Sequence, residues 1–172
     1  MHRLLFPLLV LAAWCGPGLA FGDEEYAKLP SPVRQHAEEI RKVCRDNDPD
    51  WKPGSAMSGI LEVTMDGQQA FVVDNKDLCA PIESAGVNCS NRGCDLKIWK
   101  RQVRDWKLVL DEHAYSRYVS VTPQGGLAAL IIAVQARHPQ CHPPSGKEYS
   151  SAETCDILGR YKQGRWHWEK LN

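Results

Sequence analysis

Neither sign of charge is in excess: 21 lysines and arginines stand against 21 aspartates and glutamates. A chain so balanced has no global field to draw it to nucleic acid or to an anionic membrane surface, so such a role would need a local patch. Beyond the N-terminus no apolar run reaches the roughly 20 residues of a membrane-spanning helix. Several catalytic signatures are missing as well. There is no Gly-x-Ser-x-Gly elbow, no His-Glu-x-x-His helix, no glycine-rich phosphate loop and no Cys-x-x-Cys redox pair. These absences remove any positive case for an enzyme, although catalytic groups can still converge from distant loops. Nothing in the sequence calls for a cofactor.

What is present begins with an export signal. An apolar run from Leu4 to Trp14 follows Arg3, and Gly16-Pro17-Gly18 breaks it ahead of small residues at Gly18 and Ala20. This pattern predicts a signal peptide over residues 1–20 and a single mature domain over 21–172. The run is about half the length a spanning helix needs. Trp14 stands where a lipid-attachment site would place a small residue before Cys15, so no acyl anchor is expected.

Loss of Cys15 leaves an even set: Cys44, Cys79, Cys89, Cys94, Cys141 and Cys155. In an exported chain an even set implies disulfides, with connectivity left open by sequence alone. Proximity suggests Cys89 with Cys94, Cys141 with Cys155, and by elimination Cys44 with Cys79. Loop closure would then contribute about 2, 3 and 4 kcal/mol respectively. A metal reading competes, because His138, Cys141 and His142 in "RHPQCHPP" could join the Cys89/Cys94 pair. The prolines around them read more simply as a stiff loop. Asn88-Cys89-Ser90 also fits a glycosylation sequon.

Hydrophobic periodicity divides the mature chain. Ser31-Pro32 opens a helix, and Val33, Ala37, Ile40, Val43 and Cys44 form its apolar stripe over about residues 32–45. From about residue 58 the period changes to two. "GILEVTM" and "QQAFVVD" flank Asp66-Gly67, a strong hairpin turn. Three further hairpins follow: "DLKIWK" with "WKLVLDE", "YSRYVSV" with "LAALIIAVQA", and "DILGRYK" with "RWHWEKL". The continuous run Leu127–Ala136 suggests a strand covered on both faces. The expected fold is α+β, mainly β: an antiparallel meander of about eight strands, as a barrel or two packed sheets, with one N-terminal amphipathic helix and disulfide staples. Turn chemistry recurs between the hairpins, but the units diverge too far to define a repeat.

The segments "LEVTMDGQQAFVVDNKDLC" and "NCSNRGCDLKIW" resemble a group of uncharacterised small exported proteins of Gram-negative, chiefly alphaproteobacterial, species. That group shares an acidic Asp-Gly turn, an extended strand and a cysteine pair enclosing a glycine. The resemblance covers about a fifth of the chain and implies no activity. The first segment also resembles a decayed FG-GAP-type calcium turn, with Glu62, Thr64, Asp66 and Gly67 aligned. Ala70 replaces the last carboxylate, and calcium needs about six to eight oxygens, so Asp66 reads as a turn residue.

Two local features could carry function. Lys97, Lys100, Arg101, Arg104 and Lys107 accompany Trp99 and Trp106 around the second hairpin. Cations beside indole faces suit an anionic polymer, and the candidate binding residues are Trp99, Lys100, Arg101, Arg104 and Trp106. Trp166 and Trp168 share one strand face and His167 the other. The alternative is an envelope hydrolase in which Asp111, Glu112 and His113 supply acid and base. The sequence thus favours a monomeric, periplasmic or secreted binding module. Its expected partner is envelope glycan, lipopolysaccharide or another secreted protein, without nucleic acid, resident metal or membrane span.

Overall fold

The computed structural model describes residues 26–51, 59–79, 89–90, 92–142, 146, 148 and 153–171. The signal-peptide reading, Cys15 and Asn88 therefore lie outside the described residues. One long helix, α1 (Ser31–Asn47), leads into strands β1 (Ile60–Met65) and β2 (Gln68–Asp74). A short turn of helix, α2 (Asn75–Leu78), follows, then β3 (Cys89–Ser90), β4 (Gly93–Arg101) and β5 (Trp106–Ala114). The second half holds β6 (Ser116–Val121), β7 (Leu127–Gln135), a 3-10 turn at Pro139–Cys141, β8 (Thr154–Lys162) and β9 (Arg165–Lys170).

The strands form two antiparallel sheets packed face to face. In sheet A, β1 pairs β2, β2 pairs β4, and β4 pairs both β3 and β5. Sheet B runs β6-β7-β8-β9. The four expected hairpins all form, and the architecture is two packed sheets instead of a barrel. Each sheet is built on one four-stranded up-and-down path, and the resemblance extends to the disulfides. In both, a cysteine in the connection between second and third strands bonds to the second residue of the third strand: Cys89 to Cys94 in β4, and Cys141 to Cys155 in β8.

Alternation decides what each face of sheet A meets. Val63, Met65, Ala70, Val72, Leu96, Ile98 and Leu110 point toward Leu130, Ile132, Val134 and Ile157 of sheet B and close the inter-sheet core. The opposite face offers Ile60, Phe71, Val73 and Trp99 to the α1 stripe of Val33, Ala37, Ile40 and Cys44. Pro32 starts the helix in its first turn, where no intrahelical partner is needed for its missing N–H. Cys44, near the end of α1, bonds to Cys79 just after α2 and ties the helix to sheet A. All three disulfides match the pairings expected from proximity and elimination, and three such bonds fit an oxidising, non-cytoplasmic environment.

The strand covered on both faces is β2, whose Ala70–Asp74 are all buried, rather than β7. On β7 Leu130, Ile132 and Val134 are buried in the core and Leu127 packs at its margin, while Ala129, Ile131 and Ala133 are half-buried on the other face. Outward alanines lengthen the apolar run of β7 without requiring a cover, because each has little surface to bury. Trp166 and Trp168 stack at 5.2 Å on the core side of sheet B, and Trp166 Nε1 donates to the Val109 carbonyl at 2.8 Å. Gly159 makes room for them: a Cβ there would meet the Trp168 ring at 2.4 Å.

Charged ties join the sheets at the rim of this core. Arg117 of β6 donates through Nε to Asp74 Oδ2 at 2.5 Å and through an Nη to Asp77 Oδ2 at 2.8 Å. Asp74 is 8% exposed, and its other oxygen caps α2 by accepting from the Lys76 amide. Removing the guanidinium strands a buried carboxylate, which costs more than the pair contributes. Arg117→Met is expected to lose about 3 kcal/mol of unfolding free energy by denaturant titration. Adding Asp74→Asn, which keeps the cap and removes the stranded charge, should recover part of that loss; a double variant no more stable than Arg117→Met contradicts this account.

Candidate functional site

The structure separates the residues that the sequence grouped around the second hairpin. Trp99 lies on the face of β4 beneath α1, 7% exposed, with the His36 ring 5.1 Å away. It is a core residue and is lost from the expected platform. Lys100, one position on, points to the opposite face, where its side chain is 12% exposed. Its Nζ pairs with Asp66 Oδ2 at 3.3 Å and sits 4.9 Å from the centroid of the Tyr161 ring. Lys100 is thus an inter-sheet tie with no charge left over. Asp66 adopts positive φ in the β1–β2 turn and also accepts from the Gly164 amide at 3.4 Å, consistent with a turn residue. No group of three or more potential metal ligands occurs among the described residues.

Arg101 and Arg104 remain exposed, as does Lys107, and none has an ion-pair partner among the described residues. The turn between β4 and β5 is closed by reciprocal amide–carbonyl bonds between Gln102 and Asp105, which lift Val103 and Arg104 to its tip. Val103 there is 97% exposed. Trp106 is half-buried against Phe71, ring centroids 5.4 Å apart. A cleft of about 330 Å³ opens beside it, between this hairpin and the chain entering α1. Lys28, Arg101 and Arg104 provide cations around it, Trp106 and Phe71 an aromatic wall, and Asp105 the one acid among its lining residues. The Asp105 carboxylate accepts from the Trp106 amide at 2.7 Å. Lys28 arrives from far upstream in the chain, and no local sequence signal places it here.

The proposed acid–base trio does not converge. Strand alternation puts Asp111 and His113 on one face of β5, where they pair with Lys97 at 3.4 Å and Asp95 at 3.0 Å. Glu112 faces the other way and meets His138 Nε2 at 3.5 Å. His138 Nδ1 accepts from the Gln140 amide, so a neutral ring carries its proton on Nε2, toward Glu112. The metal set is also broken: Cys141 is bonded to Cys155 and cannot act as a thiolate ligand, and His142 is exposed beyond the 3-10 turn. A second cleft, of about 230 Å³, lies by Glu112 and His138, with Gln135, Arg92 and Arg137 in its lining. The sequence singled out none of those last three, because it is the fold that brings the turn before β4 beside the end of β7.

Compared with known proteins, the chain matches no family model, no curated protein and no solved structure. Fold and site are accordingly defined by their own geometry: a helix-backed, disulfide-stapled double sheet with a cationic, aromatic-walled cleft at one hairpin.

His36 links this region to pH. Its ring lies between Trp99 and Asn75, with Nε2 3.2 Å from Asn75 Oδ1. Burial lowers its pKa below the ordinary histidine value of 6.5, and Lys97 adds to that, opposed by Asn75, Glu39 and Asp95. The folded state therefore binds this proton less readily than the unfolded chain. Stability contributed here is complete above the ordinary histidine range and falls as pH drops through it toward the lowered folded value. Denaturation midpoints from pH 8 to pH 5 should decline less steeply in His36→Gln than in the parent, and parallel curves would contradict this assignment.

Proposed function

We propose that the protein is an exported binding module, periplasmic or secreted, that holds an anionic envelope polymer in the cleft beside the β4–β5 turn. The observation that carries this reading is the grouping of Lys28, Arg101 and Arg104, without ion-pair partners among the described residues, around the half-buried Trp106. Cations left unpaired at an aromatic wall suit a sugar ring that bears or neighbours an acidic group. The indole contacts the ring's C–H face and the guanidiniums fork onto its oxyanions. Lipopolysaccharide and acidic cell-wall glycan both present that chemistry. The rigid frame also favours binding: a two-residue turn on paired strands loses little freedom when a ligand docks. Three disulfides and an N-terminal signal sequence supply the exported setting in which such polymers are met.

Near an anionic surface each cation contributes about 1 kcal/mol, so removing three should weaken binding about a hundredfold at low salt. Retention of Lys28→Ala/Arg101→Ala/Arg104→Ala on isolated lipopolysaccharide or cell-wall fractions tests this. A charge-matched control removes Arg45, Lys162 and Lys170, all exposed elsewhere. Equal losses in the two triple variants would reduce the effect to net charge and defeat the reading. Loss confined to the first triple, fading as salt rises, would support it.

A further inference from the structure

We propose that the cleft formed by the far ends of β5 and β7 is a second binding site, one for the carboxylate of a small acid or of a chain end. At about 230 Å³ it is smaller than the roughly 300–1,000 Å³ of drug-sized sites, so it suits a short ligand and not a polymer.

The primary observation is a buried donor with nothing to donate to. Gln135 is 7% exposed and lines the cleft, yet its Nε2 has no hydrogen-bond partner among the described residues. Leaving an amide N–H₂ unsatisfied opposes folding, whereas an apolar residue of the same shape would avoid the penalty. A ligand oxygen is the partner this nitrogen lacks. Two further donors stand beside it: Arg92 and Arg137 line the same cleft, are exposed, and have no ion-pair partner among the described residues. Glu112 also lines the cleft, but His138 faces it at 3.5 Å, held in that orientation by the Gln140 amide on Nδ1. The acid is thereby engaged while the two guanidiniums are not.

A carboxylate answers this donor set. Its two coplanar oxygens can take one hydrogen bond from the Gln135 amide and a forked pair from a guanidinium. A phosphate dianion would bring a second negative charge to a wall that already carries Glu112, which disfavours it. Val134 and Pro139 supply apolar lining for a short aliphatic group behind the carboxylate. The site is independent of the hairpin cleft and uses none of its residues.

The test is an NMR titration of the oxidised, ¹⁵N-labelled protein at fixed ionic strength, with acetate and N-acetylalanine as carboxylate probes and inorganic phosphate and chloride as comparisons. Saturable shifts are expected in the Gln135 side-chain amide and in the Arg92 and Arg137 Nε–H signals with the carboxylates. Phosphate should bind more weakly than either. Gln135→Met keeps the volume and removes the donor, and should weaken binding about tenfold or more while leaving the denaturation midpoint unchanged or raised. Should that variant fail to fold, Arg92→Gln/Arg137→Gln, altered only at the exposed rim, is expected to show the same loss. Unmoved Gln135 signals, undiminished affinity in a folded variant, or phosphate binding as tightly as the carboxylates would each overturn the proposal.

Discussion

Sheet A is apolar on both faces, and the rest of the molecule follows from covering it. The run Ala70–Val73 on β2 leaves no side for water, so one face must meet a second sheet and the other a helix. The four-strand path repeated as sheet B supplies the first cover. Helix α1 supplies the second, and Cys44–Cys79 keeps it from leaving by joining it to the α2 turn that follows β2. The cover also assigns the aromatic residues. A large indole on the helix-facing side of β4, such as Trp99, becomes core under α1, whereas Trp106 lies near the helix entrance and stays partly open.

Charge in this fold is used at seams. Arg117 with Asp74 and Asp77 joins the sheets at one point, and at another Lys100, paired with Asp66 in its own sheet, lies against the Tyr161 ring of sheet B. At each site one carboxylate, Asp77 or Asp66, is partly wet, which reduces the desolvation cost of bringing opposite charges together. Asp77 shows what that arrangement costs: burial, and then the adjoining Asp74, raise its pKa despite Arg117. The folded state holds that proton more readily than the unfolded chain, so this group's contribution falls as pH rises through the carboxylate range. It runs opposite in sign to that of His36 and in a lower pH window. A cation engaged at a seam is unavailable for a ligand, which is why Lys100 leaves the proposed binding surface while Arg101 and Arg104 stay in it.

Local chemistry was legible in the sequence and tertiary choice was not. Pro32 and the spacing of Val33, Ala37 and Ile40 place α1 within two residues at either end, and Asp66-Gly67 marks the first hairpin through its positive backbone angles. The two short disulfides, Cys89–Cys94 and Cys141–Cys155, agree with spacing, and Cys44–Cys79 is what elimination leaves. Alternation correctly puts Trp99 and Lys100 on opposite faces, but it does not say that both faces are covered. That depends on where a helix and a second sheet come to rest. Lys28 beside Arg101, Arg117 beside Asp74 and His138 beside Glu112 are contacts of the same kind. Each joins residues distant in sequence, and neither periodicity nor motif encodes them.

The two clefts lie at opposite ends of one rigid element. Arg101 and Arg104 flank the turn between β4 and β5, whereas Arg92 precedes β4 and Glu112 stands near the end of β5. Strands of nine residues at about 3.3 Å each put these ends about 25–30 Å apart. A small acid held at one end cannot touch the other, so occupancy of the two is separable. Along the way β5 pairs with β4 alone among the described strands and is an edge of sheet A. Such an edge invites pairing with a foreign strand, and this one is defended. The Trp166 indole takes the Val109 carbonyl, while Lys107, Asp111 and His113 stand exposed along the strand. An edge so defended leaves the two proposed sites to side chains at its ends, where guanidiniums without ion-pair partners among the described residues stand.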